Sequence, residues 1–276
     1  MLAEAVPNKT LQEVLDAHQG STVTVILPGR AMKANDWYSW VLPFDVTPRD
    51  FFYPVFEEVV APSGEQVQPL ARPFVADSRW GYGVIETLDE SKTTAKSVSF
   101  KIQAVGTIDA NTPFIVKIDK DITAQEMKAI RFPNVTIGEW DYLTDNPFSG
   151  SEGTVQFTGV YYDTEEGDLD ASALTLRRYK KGATAAEMAK EPLEWWPAAS
   201  NVTVKRTAAY LQFPTAAAAA DAKIYIQEED GTYTAINGVE ADGTIEGEGI
   251  YNLSGQRVNK AQKGIYIMNG KKVLVK

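Results

Sequence analysis

The chain has 276 residues, a formal net charge of −10, an isoelectric point near 4.8 and no cysteine. An acidic surface repels phosphate backbones and argues against a nucleic-acid partner, while the absence of cysteine excludes disulfides, thiolate catalysis and Cys-ligated metals. The sequence contains no apolar run long enough to predict a transmembrane segment. Its first ten residues lack the charged and apolar regions of a signal peptide, so export would depend on a signal already removed.

The first twenty residues are predicted to form a short lead-in helix. Leu11, Val14 and Leu15 have the spacing of one apolar helix face. The only histidine, His18, follows this face and is interpreted as a surface residue without a catalytic role. We therefore assign 1–20 as a lead-in helix.

Strand-forming segments recur throughout residues 21–228. They are rich in β-branched and aromatic residues and are separated by Gly, Asp, Asn or Pro. The strand candidates are 21–27, 37–46, 80–88, 97–105, 112–118, 134–137, 154–162, 173–179, 202–213 and 223–227. Many short strands joined by turn residues favour an antiparallel β-sandwich over parallel βαβ units. The predicted fold class is therefore mostly β, an antiparallel β-sandwich with short connecting helices and a small C-terminal β-meander.

Three capping signals predict where the short helices lie. Thr and Pro at the start of 47–50 predict a helix of one or two turns over 50–55. Residues 123–126 and 184–187 have the Thr-x-x-Glu pattern of a capping box, which predicts helices in connections. The five alanines of 216–220 are expected to form a loop or a single turn.

The charge balance changes sharply near the C-terminus. Residues 229–249 are acidic and glycine-rich, which predicts a linker. Residues 250–276 contain six Lys or Arg residues and no acid. This asymmetry marks a separate unit.

The C-terminal unit is predicted to contain two β-hairpins. Asn269 and Gly270 are the residue pair typical of a type I′ turn, and they lie between apolar segments. A second hairpin is centred on Ser254 and Gly255. Two hairpins form a small meander that needs packing against another surface to be stable.

The tail sequence IYNLSGQRVNKAQKGIYIMNGKKVLVK resembles the C-terminal tail of many exported Bacteroidetes proteins. It is similar to the last strands of the type IX secretion sorting domain. The resemblance places five residues at motif positions: Gly255, Gly264, Tyr266, Gly270 and Lys276. It implies that secretion or attachment machinery recognises the tail, and that the protein is extracellular or on the outer-membrane surface.

A second resemblance covers segments of the main domain. WVLPFDV (40–46), ANTPFIVK (110–117), FTGVY (157–161) and TAAYL (207–211) occur in this order. They look like segments of an uncharacterised module common in Bacteroides and Prevotella surface proteins. This resemblance implies a surface setting and supplies no catalytic residues.

Four tryptophans are candidate ligand contacts, because exposed Trp faces stack on sugar rings. They are Trp37, Trp80, Trp195 and Trp196. Strand alternation places Tyr38 and Trp40 on one face, predicted to be core, and Trp37 on the other. Of the adjacent Trp195 and Trp196, one is expected to point inward and the other outward.

An acidic loop is the candidate metal site. Asp163, Glu165, Asp168 and Asp170 supply the oxygen ligands that Ca²⁺ prefers. Their spacing does not match an EF-hand, and a solvated acidic turn is the alternative interpretation. No other cofactor is predicted.

These observations favour a non-catalytic exported surface protein, a structural or adhesion-type module whose partner is a glycan or a host or surface protein. A carbohydrate-binding protein that uses exposed Trp is the alternative. A glycosidase-like enzyme is the third candidate. It would need two positioned carboxylates, which the sequence does not single out among 37 acidic residues.

Overall fold

A computed structural model describes most of the chain. The described residues are 8–52, 55–56, 83–128, 130–143, 145–151, 153–179, 182–191, 193–199, 201–228, 231–237, 250–252, 257–258, 264–268 and 271–275. Among them, no helix is both long enough and apolar enough to cross a membrane.

Short helices and many strands make up the described residues. The helices are α1 (Asn8–Ala17), α2 (Pro48–Phe52), α3 (Ala124–Lys128), α4 (Ala185–Met188) and α5 (Ala216–Ala220). The first nine strands are β1 (Thr22–Ile26), β2 (Trp37–Trp40), β3 (Val55–Phe56), β4 (Gly83–Leu88), β5 (Ser97–Ile102), β6 (Phe114–Ile118), β7 (Ile130–Thr136), β8 (Phe148–Ser149) and β9 (Gln156–Gly159). The others are β10 (Ala173–Arg177), β11 (Glu194–Pro197), β12 (Ala209–Gln212), β13 (Lys223–Gln227), β14 (Tyr233–Asn237), β15 (Ile250–Asn252), β16 (Arg257–Val258), β17 (Gly264–Met268) and β18 (Lys271–Val275).

The described strands form four sheets. A six-stranded sheet has the order β14-β13-β5-β4-β6-β2, and a five-stranded sheet has the order β11-β10-β12-β9-β8. A three-stranded sheet (β1-β7-β3) and a four-stranded C-terminal sheet (β16-β15-β17-β18) complete the set. The pairings are antiparallel except that of β13 with β5, which is parallel. The mostly-β, sandwich-like class predicted from the sequence is confirmed, with this one parallel pair as a difference.

The six-stranded sheet is buried on both faces, because a different layer covers each side. On one face, Phe114 and Val116 of β6 join a core that includes Leu15 of α1 and Phe132 of β7. On the other face, Ile115 joins a core shared with the five-stranded sheet. Successive side chains of β6 therefore enter different cores, which explains its nearly continuous apolar sequence.

Two aromatic clusters mark these two cores. Phe114 lies edge-on to Phe51 of α2, with ring centres 5.5 Å apart. Phe100 of β5 lies edge-on to Phe157 of β9 at 5.3 Å and is stacked on Trp195 of β11 at 6.1 Å. The second cluster joins the six-stranded and five-stranded sheets, which form the sandwich proper.

Both predicted capping boxes are present. The Thr123 amide donates to a Glu126 carboxylate oxygen at 2.9 Å, and the Glu126 amide donates to the Thr123 hydroxyl at 3.2 Å. Thr184 and Glu187 repeat this reciprocal pair. Each box satisfies amide groups that the first helical turn leaves without partners.

The lead-in helix packs on the strands that follow it. Leu11 and Leu15 of α1 are buried in the same core as the β1 and β7 side chains. The predicted helix is present over Asn8–Ala17, and Leu11 and Leu15 of its predicted apolar face are buried. Burial of an apolar helix face stabilises the domain that covers it.

Part of the predicted linker, 229–249, forms a strand. Residues 233–237 form β14, which pairs with β13 along five residues at the edge of the six-stranded sheet. The acidic composition of this region misled the sequence interpretation, because an edge strand tolerates polar residues on its solvent side. The rest of the predicted linker, 238–249, lies outside the described residues.

The two predicted C-terminal hairpins are confirmed. β15 pairs with β16 in the first, and β17 pairs with β18 in the second. Met268 lies opposite Lys271, so a two-residue connection joins β17 to β18. In the described part of the chain, the four tail strands pair only with one another.

Candidate functional site

A cavity of about 510 Å³ lies where the six-stranded and five-stranded sheets meet. Strands β2, β10 and β12 form its walls together with the turn that follows β1. Ser39 of β2 fixes this junction: its hydroxyl donates to the Ala209 carbonyl at 2.7 Å and accepts from the Ala209 amide at 3.0 Å. Two sheets are thus tied together by hydrogen bonds at the wall of the cavity.

Arg30 is the central charged group of this cavity. It follows the Pro28-Gly29 turn, and its guanidinium carbon lies 4.7 Å from the centre of the Trp40 ring and 5.5 Å from that of Tyr38. Its Nη1 is completely buried and has no hydrogen-bond partner among the described residues. Burial lowers the pKa of Arg30 to about 10, which leaves it charged at neutral pH.

A second arginine enters the cavity from β10. Thr175 and Arg177 are two residues apart on this strand and so share a face. Arg177 donates through Nη2 to the Pro197 carbonyl at 2.8 Å, and its guanidinium lies 4.7 Å from the centre of the Tyr179 ring. Within the described chain, the buried Arg177 Nε and Thr175 Oγ1 have no hydrogen-bond partner. Burial also lowers the pKa of Arg177.

Asp163 supplies the negative charge of the cavity. One of its carboxylate oxygens accepts from Lys205 Nζ at 3.1 Å, and the other accepts from the Arg206 amide at 3.0 Å. Partial burial alone would raise the pKa of Asp163, but these hydrogen bonds and the two cations outweigh it and lower that pKa below its ordinary value. This carboxylate is therefore an ionised partner of the loop cations.

The lining of the cavity is strongly basic. Its ionised side chains are four cations and one carboxylate: Arg30, Arg177, Lys205, Arg206 and Asp163. The whole protein has a formal charge of −10. We call this cavity the cationic pocket, since its charge is opposite in sign to that of the molecule.

No sequence pattern indicated this pocket. Arg30, Arg177 and the pair Lys205-Arg206 lie far apart in the chain, and none of them belongs to a recognised motif. They converge because β2 and β10 come together from two different sheets. Only the turn chemistry of Pro28-Gly29 before Arg30 could have drawn attention to that position.

The three tryptophan candidates that the structure describes are buried and form no exposed platform. Trp195 and Trp196 are both buried, with 3% and 7% of their surface accessible, so the expectation that one faces solvent is wrong. Trp195 enters the core between the two large sheets, whereas Trp196 packs edge-on against Tyr179 at 4.8 Å. A layer of side chains thus covers each face of β11.

Trp37 is also buried, with 9% of its surface accessible. It joins the core opposite to that of Tyr38 and Trp40, as strand alternation predicts, and the Lys117 ammonium lies 4.9 Å from its ring centre. Trp80, the fourth candidate, lies outside the described residues.

The acidic loop forms hydrogen bonds within the protein. Asp168 accepts from the Glu165 amide at 2.8 Å, Asp170 accepts from the Ser172 amide at 2.8 Å, and Asp163 is held by the cations described above. Hydrogen bonds from Ser172 lower the pKa of Asp170. No group of three or more His, Cys, Asp or Glu side chains that could hold a metal ion occurs in the part of the chain that the structure covers.

The tail motif is described only in part. Gly264 and Tyr266 lie in β17, where Gly264 is opposite Val275 and Tyr266 is opposite Val273. Gly255, Gly270 and Lys276 lie outside the described residues. The structure therefore places two of the five motif positions on one central strand of the tail sheet.

Comparison of the chain with models of known protein families, with curated proteins and with solved structures finds no match.

Proposed function

We propose that this chain is a non-catalytic exported surface protein whose main domain binds a small anionic ligand in the cationic pocket. The observation that carries the proposal is Arg30, a half-buried cation over the rings of Tyr38 and Trp40, whose buried Nη1 lacks a partner in the described chain. The volume of the pocket, about 510 Å³, is in the range of small-molecule sites.

An anion in this pocket would offset the cost of burying the arginines. A charged group removed from water is costly unless a hydrogen bond or an opposite charge compensates. The faces of Tyr38 and Trp40 supply part of that compensation to Arg30. The planar guanidinium also matches the two oxygens of a carboxylate or phosphate, which it binds through paired hydrogen bonds.

The chemistry of the pocket favours binding over catalysis. Its carboxylate, Asp163, already accepts from Lys205 and Arg206, and its lowered pKa makes it a poor proton donor or acceptor near neutral pH. Three donors in the lining, Arg30 Nη1, Arg177 Nε and the Thr175 hydroxyl, have no partner among the described residues and suit an anion. A binding module on the surface is compatible with either a structural or an adhesion-type role.

Thermal unfolding in the presence of simple anions tests this function. Sodium acetate or sodium phosphate should raise Tm above that in sodium chloride of equal ionic strength, by roughly 5–10 °C at a hundredfold excess over Kd. Arg30→Met should abolish the rise while keeping the apolar stem against Trp40. The matched control is Arg49→Met, because Arg49 is an exposed arginine of α2 outside the pocket.

Either of two results would count against anion binding: a rise no larger than that in chloride, or a full rise in the Arg30→Met protein. Phosphate and acetate distinguish the two common anion chemistries. A response to both indicates a general anion site, whereas a response to one identifies the class of ligand.

Export and surface attachment through the tail are part of the same proposal. The resemblance of 250–276 to a sorting-domain terminus supports it, and so does a tail sheet whose described strands pair only with one another. A chain ending at residue 249 should remain inside the native host, whereas the full chain reaches the surface. Delivery of both chains to the surface would overturn this part of the proposal.

A further inference from the structure

A second, smaller cavity of about 40 Å³ adjoins the cationic pocket. Pro28 and Arg206 line both cavities, so the two lie side by side at these residues. Side chains from α1, β1 and the segment after β2 form most of the remaining wall, and they are apolar: Leu11, Leu15, Val25, Leu27 and Leu42. We call this cavity the apolar slot.

The size of the slot limits what can enter it. A single water needs roughly 10–15 Å³ of cavity volume, so about 40 Å³ holds roughly three water-sized groups. A chain of three or four carbon atoms has this bulk. An aromatic ring or a full sugar does not fit in the slot.

Three polar residues also line the slot: Tyr161, Arg206 and Thr207. The Tyr161 hydroxyl donates to Asn111 Oδ1 at 2.8 Å and Arg206 donates to Asp163, so Thr207 differs from both. The Thr207 hydroxyl is buried and has no hydrogen-bond partner among the described residues. A buried hydroxyl without a partner destabilises the fold, so it marks a place where a ligand atom would be favoured. An acceptor or hydroxyl on the ligand would supply the missing partner.

The backbone at Thr207 is strained as well. Its φ angle is +63°, a left-handed conformation that is rare for a β-branched residue. Two hydrogen bonds hold it there: the Thr207 amide donates to the Val160 carbonyl at 2.7 Å, and the Val41 amide donates to the Thr207 carbonyl at 2.9 Å. Strain that the surrounding structure maintains in this way occurs preferentially at ligand sites.

We infer that the ligand is a short-chain hydroxy acid. Its carboxylate lies among the cations around Arg30 and Arg177, its aliphatic carbons enter the apolar slot, and its hydroxyl forms a hydrogen bond with Thr207. This inference rests on the proposed anion-binding function and adds the rest of the ligand to it. Three observations converge on it: the charge of the pocket, the volume of the slot and the unpartnered Thr207 hydroxyl.

Calorimetric titration with four acids tests the inference. The probes are butyrate and its 2-hydroxy, 3-hydroxy and 4-hydroxy derivatives, which share one charge and one chain length. At least one hydroxy acid should bind roughly three- to tenfold more tightly than butyrate, the gain expected for one added hydrogen bond. Acetate, which is too short to fill the slot, should bind more weakly than butyrate.

Substitutions at Thr207 assign the preference to its hydroxyl. Thr207→Val keeps the branched shape and should remove the preference for the hydroxy acid while leaving butyrate binding nearly unchanged. Thr207→Ser keeps a hydroxyl and should retain the preference. Thr24→Val, at an exposed threonine of β1, is the matched control and should behave like the native protein.

The outcomes separate the two proposals. If none of the acids binds, the anion-binding function itself fails. If butyrate and all three hydroxy acids bind with the same affinity, the anion site stands and the hydroxy-acid inference is overturned. A preference that survives in Thr207→Val would likewise overturn the assignment to Thr207.

Discussion

The main sandwich and the tail sheet are built from similar short strands, but their pairing differs in range. Both tail hairpins join neighbours in sequence, β15 with β16 and β17 with β18. The sandwich also pairs neighbours such as β13 and β14, but its sheets are completed by partners that are distant in sequence, β13 with β5 and β10 with β12. The tail depends on local turns, whereas the sandwich depends on layers packed from distant segments.

This difference predicts where stability is concentrated. The six-stranded sheet is covered on both faces, and its central side chains are fully buried. Closing a long loop to form a strand pair costs more chain entropy than closing a short one. Burial of apolar side chains must offset that cost. We therefore expect the largest effects from substitutions between the two large sheets.

Phe100→Ala should give the largest loss of stability. Phe100 is completely buried and contacts the rings of Phe157 and Trp195, so its truncation removes aromatic contacts and leaves a cavity. The expected loss is about 3–5 kcal/mol in the free energy of unfolding, measured by urea titration. The control is Val105→Ala, since Val105 is 82% exposed and its truncation should change stability by about 0.5 kcal/mol or less. Equal effects of the two substitutions would contradict the layered core.

A buried carboxyl should make the stability of the sandwich depend on pH. Glu86 of β4 is 1% exposed; its Oε2 accepts weakly from the Gln227 amide at 3.4 Å, and its Oε1 has no partner within the described chain. Burial raises the pKa of Glu86 to about 8, although Lys117 opposes the shift. The folded protein therefore holds Glu86 protonated near neutral pH, where the unfolded chain is ionised.

The sign of the effect follows from this raised pKa. The contribution of Glu86 to the free energy of unfolding is fully present below the unfolded pKa of about 4.5. It decreases as the pH rises and is lost once the pH has passed about 8. Glu86→Gln removes the ionisation, so it should increase stability relative to the native protein by up to roughly 4 kcal/mol at pH 9 and by little at pH 5. The urea midpoints of the native and Glu86→Gln proteins at pH 5 and pH 9 measure this difference in stability. Glu166→Gln, at an exposed loop residue, should show no such dependence, and a pH-independent effect of Glu86→Gln would refute the assignment.

The fold class was predictable because it depends on local patterns. Strand alternation placed Trp37 and Trp40 in opposite faces correctly, and the Thr-x-x-Glu pattern located α3 and α4. Sheet order was not predictable, because the partners of β13 and β10 are distant in sequence. The acidic composition around β14 led to its assignment as part of a linker, because its pairing with β13 has no signature in the sequence.

The candidate site was predicted poorly for a related reason. Tryptophans and clustered acids are conspicuous in a sequence and are therefore candidates. In the structure, Trp195 and Trp196 of β11 are buried, and Asp163 forms ion pairs with Lys205 and Arg206. Arg30 and Thr207 have ordinary sequence surroundings. Their proposed roles rest on buried polar atoms without a partner in the described chain and on the backbone strain at Thr207, and neither property is visible before the layers are assembled.

Removal of the tail is expected to have the smallest effect on the sandwich. The described tail strands pair only with one another, and β14 already forms the edge of the six-stranded sheet without a tail strand beside it. A chain of residues 1–249 should therefore fold, with a urea midpoint close to that of the full chain. If tail side chains completed the core, each would contribute on the order of 1.5–3 kcal/mol, and the loss of several would exhaust a total stability of about 5–15 kcal/mol. Failure of the 1–249 chain to fold would show that tail and sandwich are one domain. An unchanged midpoint combined with lost surface delivery would show that the tail is a separable element whose role lies in export.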